Sequence, residues 1–547
     1  MVRPEHCGRA AKALRAQHGS RTAPHRAPTT GGNVRSSETA PSGRTRTPDA
    51  DVVVIGAGLA GLAAANHLSD AGLHVTVLET ASRVGGRMST ESVDGYLLDR
   101  CGRLLCPDWP EFRRLPALAA LELRPFAPGA LLRAGGRTHR IGDLRRTVGR
   151  LPLGLAPRRG DVPQDVPRTA VQRAETEDGA RTGRTARTER TGRIERTERR
   201  TRGALTTARA LTGARSRASW GMSRQGHGRA GALDHARLRG ALARFAAVPS
   251  DRLLSRTELP AAQALSARGL PTRTVGSLVR PLLSALLSDP ALTTSSRVAD
   301  LTLRGFVRGG CCLPAGGMAT VPELLAAALP EGTIRTDVTA LSVTTNSVTT
   351  RDHGTLACRA VVVATNAADA GELLPGLRVP DFHPVTVLHH AVDGTSPLPP
   401  SLLVDGDAAR HGPVSHSWAA SAVDPVRARP GRASLVTSVV LGAAAAEPVA
   451  ALDAAARTQL ASLHGVPSGR WSLLAAHHDP QAVPAMPPPH DLRRPVRVLS
   501  GLYVCGEHRD TSTAQGALVS GRRAAHEVLR DFGLPVPEGD RPFSTAA

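Results

Sequence analysis

The sequence of 547 residues predicts an α/β fold class, with a parallel sheet in one domain and an α+β second domain beside it. Three observations lead there. Short apolar runs recur at 52–55, 75–78, 360–364 and 502–505, as expected of strands buried on both faces of a parallel sheet. The first of them runs directly into Gly56-x-Gly58-x-x-Gly61 and a helical pattern. Strand, helix and second strand together take about thirty residues, the size of one βαβ unit.

The composition bounds the rest. Apolar residues are 41% of the chain and aromatic residues only 2%, so the core must be mostly aliphatic. The net charge of +22 is concentrated in two segments, 1–49 and 158–230, and therefore says little about the body of the fold. Lys12 is the only lysine. Seven cysteines, at 7, 101, 106, 311, 312, 358 and 505, form no C-x-x-C pair and no metal-site spacing, so buried free thiols are expected and no metal. The N-terminus lacks the apolar stretch of a secretory signal, and no apolar run is long enough to span a membrane, which points to a cytoplasmic protein.

Residues 1–49, rich in Arg, Pro, Thr and Ser without apolar period, read as a disordered leader, and a start further downstream would serve equally well. Val52–Ile55 is the first strand, Leu59–Ala71 a helix ended by Gly72, and Val75–Leu78 the second strand. Residues 158–230 break the pattern. Arginine recurs every third residue from 181 to 199, a period that suits neither helix nor strand, so this is read as a disordered Arg/Thr-rich insertion. Ordered sequence returns near Leu233. Helices are predicted at 277–288, 320–329 and 515–530, and strands at 334–337, 342–350, 360–364, 385–392, 434–440 and 502–505; from Leu534 the tail is polar and Pro-rich.

The glycine pattern carries chemistry. In Gly56-x-Gly58-x-x-Gly61 one glycine permits the tight turn, one lets backbone approach a pyrophosphate, and one lets helix pack on strand. The N–H groups at Leu59 and Ala60 then face the phosphates. Glu79, eighteen residues on at the end of the second strand, is placed to accept from ribose hydroxyls. This is a Rossmann-like dinucleotide site. Arg83-Val84-Gly85-Gly86-Arg87 adds a second glycine turn flanked by cations, which a plain nicotinamide domain does not need.

The run from Asp51 to Arg87 resembles the N-terminus of the flavin amine oxidase, phytoene desaturase and protoporphyrinogen oxidase superfamily. The C-terminal run Leu502–His508, followed by Ser512–Arg522, is similar to that superfamily's closing motif. The resemblance implies an FAD-dependent oxidoreductase. It implies that Gly506 and Glu507 are cofactor-binding, with Glu507 holding the ribityl or diphosphate side, and that the helix from Gln515, Gly516 and Ala517 aims its positive end at the flavin N1–C2 region. Thr365, in Ala364-Thr365-Asn366, matches a further flavin-proximal turn, and Val338 the position whose backbone touches adenine. His508 is flavin-proximal. His389, His390 and His416 are read as packing residues, and no catalytic residue is singled out.

A discontinuous FAD domain is thus expected at 51–95, 314–370 and 497–531, and a substrate domain at 96–157, 231–313 and 371–496, with a tail at 532–547. The expected reaction is hydride transfer from a substrate carbon to flavin N5. The lysine that related amine oxidases place near N5 cannot come from this body, since Lys12 lies in the leader. The substrate is therefore expected to be apolar, isoprenoid- or tetrapyrrole-like, or else an amine, with Trp418 and Tyr503 as candidate cavity aromatics. The partners are that small molecule and an electron acceptor, oxygen or another; peripheral membrane contact stays open. The alternative is a non-catalytic FAD-binding protein whose Arg-rich arm binds nucleic acid. Interspersed acids and the lack of aromatics from 158 to 219 weigh against it.

Overall fold

A computed structural model describes residues 49–134, 137–141, 229–267, 272–393, 398–407 and 411–537. Most of the expected leader, the insertion and the last ten residues lie outside these. Three edges of those segments need correction. Asp49 already belongs to the fold, exchanging hydrogen bonds with Ala357. Arg229 opens a helix running to Ala247, inside the expected insertion. The start of the tail packs: Leu534 and Val536 lie against the core, and the Arg359 guanidinium stands 4.0 Å over the Phe532 ring.

The first sheet is assembled from distant segments. Its elements are β1 (Val52–Ile55), α1 (Leu59–Asp70), β2 (Val75–Leu78), β3 (Ile334–Arg335), β4 (Ala360–Val363), β5 (Arg497–Leu499), β6 (Leu502–Val504) and α2 (Ala514–Asp531). The strand order is β5-β6-β4-β1-β2-β3, parallel throughout except at β5. Strand alternation divides the core between two faces. Val52 and Val54 face the layer of α1 and α2. Val53 and Ile55 face the other side, which includes Val348 of a three-stranded antiparallel sheet. Gly521 lets the two helices touch, since a Cβ there would fall 2.2 Å from Ala60 O.

The second sheet has seven strands in the order Trp471–Pro484, Phe382–Val392, Ser434–Leu441, Val414–Ala419, Leu402–Asp405, Ala130–Ala134, Arg137–Ile141. It is antiparallel except where Leu402–Asp405 runs beside Ala130–Ala134. The helix Val449–His464 packs its Leu452, Ala456 and Leu460 against one face.

Local readings are adjusted in three places. The run expected as one strand at 342–350 is a hairpin of Ala340–Val343 and Ser347–Thr350, because Thr344 and Asn346 turn the chain through their own side-chain hydrogen bonds. The helix at 277–288 is a π-turn, Val275–Val279, leading into Arg280–Leu287. The strand at 334–337 stops at Arg335, since Asp337 takes a left-handed φ of 59°.

Candidate functional site

The carboxyl ends of β1, β2, β4 and β6 lie at one edge of the sheet, where they deliver Gly56, Glu79, Ala364–Thr365 and Gly506–Glu507. The chain leaves β1 for β2 on one side, whereas β4 flanks β1 on the other. That reversal opens the crevice in which open α/β sheets bind ligands.

Backbone walls this crevice. Gly56 has φ +104°, and a Cβ on it would meet Ala364 O at 2.9 Å. A Cβ on Gly61 would fall 2.0 Å from Gly56 O, so helix and turn pack as closely as backbone permits. Gly58 differs: a Cβ there would meet nothing within 4 Å. Across from it, a Cβ on Gly86 would meet only Gly58 Cα, at 3.9 Å. The second turn is held by Gly85, at φ +112°, which donates its N–H to Ala57 O at 2.9 Å. The two glycine turns thus face one open slot. Gly58 caps α1 without a side-chain hydrogen bond, and the first-turn N–H groups at Leu59, Ala60 and Gly61 have no acceptor within the helix. This cradle fits a diphosphate.

Glu79 accepts from Ala57 N (2.7 Å, Oε2) and Ala81 N (2.9 Å, Oε1), which fixes its carboxylate while leaving each oxygen a lone pair for a ribose hydroxyl. Its carbonyl accepts from the N–H of the buried Val338 at 2.9 Å. Thr365 donates to Asn366 O, and Asn366 in turn caps the helix Ala367–Leu373.

The two arginines of the second turn part company. Arg83 is exposed. Arg87, on the cation-flanked glycine turn, donates to Glu507 Oε1 at 2.5 Å and to Ala482 O at 2.7 Å. Burial works against its charge, but Glu507, with Asp479 beside it, favours the charged form, and the net shift is upward. Arg103 is the residue that sequence reasoning missed. It reaches both Glu507 oxygens at 3.0 Å and also donates to Ser512 O and Ala482 O. No motif marks it.

Gly506 adopts φ +145° and donates to Ser520 Oγ at 2.9 Å. Beside it, His508 is 4% exposed, and its Nε2 has no hydrogen-bond partner. Burial, with Arg509, Arg494 and Arg87, pushes its pKa down to about 3, so the imidazole is neutral. An orphaned polar atom at this edge fits a polar ligand there. Thr513 caps α2, accepting from Gly516 N at 3.0 Å, and Ala517 N donates to Thr513 O. A Cβ on Gly516 would fall 2.0 Å from Thr511 O, so this glycine serves the turn. The Gln515 side chain accepts from Glu111 N at 3.2 Å.

The aromatic candidates serve packing. Trp418 is 2% exposed, stacked on His416 and edge-on to Phe126. Tyr503 is buried and donates its hydroxyl to Asp531. His389 and His390 are buried on their strand, hydrogen-bonded to Asp99 O and to Asp453 respectively. The six described cysteines are free; five are buried, and burial pushes the Cys101 and Cys106 thiols up to about 11. Among the described residues no acid, histidine or cysteine cluster suits a metal, and no helix is long and apolar enough to cross a membrane.

Comparison with known proteins follows the same line. Residues 59–529 match the family described as flavin containing amine oxidoreductase. Putrescine oxidase from Kocuria rosea is 49% identical over 72 residues, 13% of this chain and 15% of that protein. Carotenoid 3,4-desaturase from Haloarcula japonica is 44% identical over 59 residues, 11% of each. These alignments span 15% or less of either relative. Among solved structures, cyclohexylamine oxidase from Brevibacterium oxydans superposes with a TM-score of 0.53 at 18% identity, over 89% of this chain and all of that one; the likeness is one of fold.

Proposed function

This chain belongs to the flavin containing amine oxidoreductase family, and from that premise we propose that it oxidises a small molecule, apolar or amine-bearing, at one carbon. FAD is its cofactor and, when bound, supplies the chemistry: it accepts hydride at N5 and passes the electrons to oxygen or another acceptor. The observation that carries the reading is the side-chain-free slot between Gly58 and Gly86 at the carboxyl ends of parallel strands.

In this reading the chain's own groups bind and orient. Gly56, Gly58, Leu59, Ala60 and Gly61 with Gly85 and Gly86 hold the diphosphate through backbone. Glu79 takes the ribose and Val338 the adenine. Glu507 is held in place by Arg87 and Arg103, which orients its carboxylate to accept from hydroxyls of the ribityl side. Thr365, Gly506 and the first turn of α2, at Gln515, Gly516 and Ala517, border the flavin ring, where N–H groups favour negative charge. We assign FAD binding to 51–95, 314–370 and 497–531, and the substrate to 96–157, 231–313 and 371–496. The substrate class follows from the scarcity of aromatics and of lysine, which favours an isoprenoid- or tetrapyrrole-like body over a caged amine. A cytoplasmic location is part of the proposal, in keeping with the free thiols.

The test is a visible spectrum of the purified protein, analysis of the supernatant after heat release, and anaerobic titration with amines and isoprenoids. Flavin bands, FAD in the supernatant and bleaching by one substrate class support the proposal. A colourless protein that takes up no added FAD overturns it.

A further inference from the structure

A cavity of about 1300 Å³ lies against the first turn of α2, with Thr511–Gln515 and Arg103 on its wall. Its other walls come from the helix Ser296–Gly309 and from residues 492–497. The apolar lining includes Trp109, Leu286, Leu301, Phe306 and Val496. The polar lining is one-sided: ten arginines face the space, against the carboxylates of Asp108, Asp510 and Glu527 alone.

Many of these arginines are neutralised nearby, as Arg103 is by Glu507 and Arg497 by Asp531. Arg304 and Arg523 are held differently. Arg304 donates its Nε to Val248 O at 2.8 Å. Arg523 donates to Arg509 O at 3.2 Å and to Arg494 O at 2.7 Å. Neutral carbonyls fix these guanidiniums in place without cancelling their charge. Arg308, one helical turn from Arg304, lines the same space. Burial first, then the like charge of Arg308, lowers the Arg304 pKa, and the carboxylate of Asp108 opposes this only in part. The acid nearest Arg523 is Asp510, at 3.6 Å. Burial pushes the Asp510 carboxyl up to about 7, which weakens it as a counterion near neutral pH.

We propose that this cavity takes an anionic amphiphile, an apolar body ending in a carboxylate or phosphate, with Arg304, Arg308 and Arg523 supplying the field that selects the head group. The inference rests on the proposed function for its placement, because the cavity abuts the turn assigned to the flavin ring, and it narrows the substrate from apolar or amine-bearing to apolar and negatively charged. Arg304 and Arg523, fixed by carbonyls in a partly desolvated wall, attract an anion more strongly than the same charges in water, and the exposed Arg308 adds its charge at the rim. A protonated amine of the same length would meet repulsion there.

The experiment uses the purified flavoprotein and isothermal titration with four probes of one chain length: octanoate, octyl phosphate, octan-1-ol and octylamine. Either anion should bind at least about tenfold more tightly than octanol, and octylamine least; the tighter of the two anions identifies the head group. Arg308→Glu lies on an exposed position and should fold normally. It is expected to weaken the anion roughly tenfold while flavin content and octanol binding stay unchanged. Octanol or octylamine binding as tightly as both anions overturns the proposal, and so does indifference of the anion to Arg308→Glu. Flavin absorbance is read on the same samples. Loss of flavin alone counts against the oxidoreductase reading, and loss of anion preference in a yellow protein counts only against this one.

Discussion

The Arg87 guanidinium lies 2.5 Å from the Glu507 carboxylate, joining residues 420 positions apart at the edge where the expected flavin site forms. Glu507 is 7% exposed and has Arg103 on its other side. Glu507→Gln keeps the shape but leaves two partly buried guanidiniums without their anion. Breaking such a pair costs about 3 kcal/mol, somewhat less here because both arginines also bond Ala482 O. The expected result is a lower urea midpoint and a protein purified with little flavin. A variant as stable and as yellow as the parent would remove Glu507 from both roles.

The glycines separate cofactor binding from folding. Gly58 has φ −77°, which alanine adopts freely, and its added methyl would meet nothing within 4 Å. Gly58→Ala should therefore leave the stability of the flavin-free protein within about 1 kcal/mol of the parent. It should weaken FAD by roughly ten- to a hundredfold, because the methyl enters the slot reserved for the diphosphate. Gly61→Ala drives its methyl to 2.0 Å from Gly56 O and should fail to fold. Equilibrium FAD titration and thermal unfolding check both. If Gly58→Ala binds FAD normally, the slot is not where the diphosphate lies.

These contrasts also mark what the sequence could reveal. Gly56, Gly58, Gly61 and Glu79 were legible because a strand-to-helix turn and the next strand's end are local and their spacing is fixed by geometry. The helix Ser296–Gly309 carries a Ser295 cap and a buried Val298, Leu303, Phe306 and Val307 face, signals that local reading could have used. Arg103 was not legible. Its partner Glu507 lies 404 residues away, and nothing local sets an arginine apart in a chain so rich in them. Arg87 was read by position, and the ion pair that redirects its charge becomes visible only once the two segments meet. Trp418 was a candidate because aromatics are scarce, but scarcity does not distinguish a cavity wall from a core.

A second long-range pair anchors α2. Glu111 is fully buried, and Arg522 grips it with Nε at 3.0 Å and Nη2 at 3.1 Å. Arg114 adds a contact from a half-exposed side chain at 2.8 Å. Arg522→Ala leaves the carboxylate buried with that weaker partner, and the expected cost is about 3 kcal/mol. The double variant Glu111→Met with Arg522→Leu removes both charges and should recover most of it. Guanidinium denaturation of the three proteins tests this. A double variant no better than the single one would mean that volume, and not charge, governs the site.

Acid stability gives the last prediction, and its sign follows from two histidines of the second sheet and its helix. Burial pushes the pKa of His389 down to about 4, and that of His464 likewise to about 4. In the unfolded chain both titrate near 6.5. Between pH 6.5 and 4 the unfolded state therefore binds more protons, and the folded state loses stability as pH falls. The contribution is complete above pH 6.5 and is lost by pH 4, on the order of 3 kcal/mol for each histidine. Asp510 works the opposite way: its carboxyl is held up to about 7, so the fold gains as pH drops below 7 toward 4. The whole-protein curve is a sum, and a variant isolates one term. His464→Phe keeps the ring against Trp471 and leaves the Ser417 hydroxyl still donating to Thr437 O. Urea midpoints measured from pH 7.5 to 4.5 should fall less steeply for His464→Phe than for the parent, the two curves converging toward the acid end. Parallel curves would show that His464 takes up no proton on unfolding, and that burial does not hold it neutral.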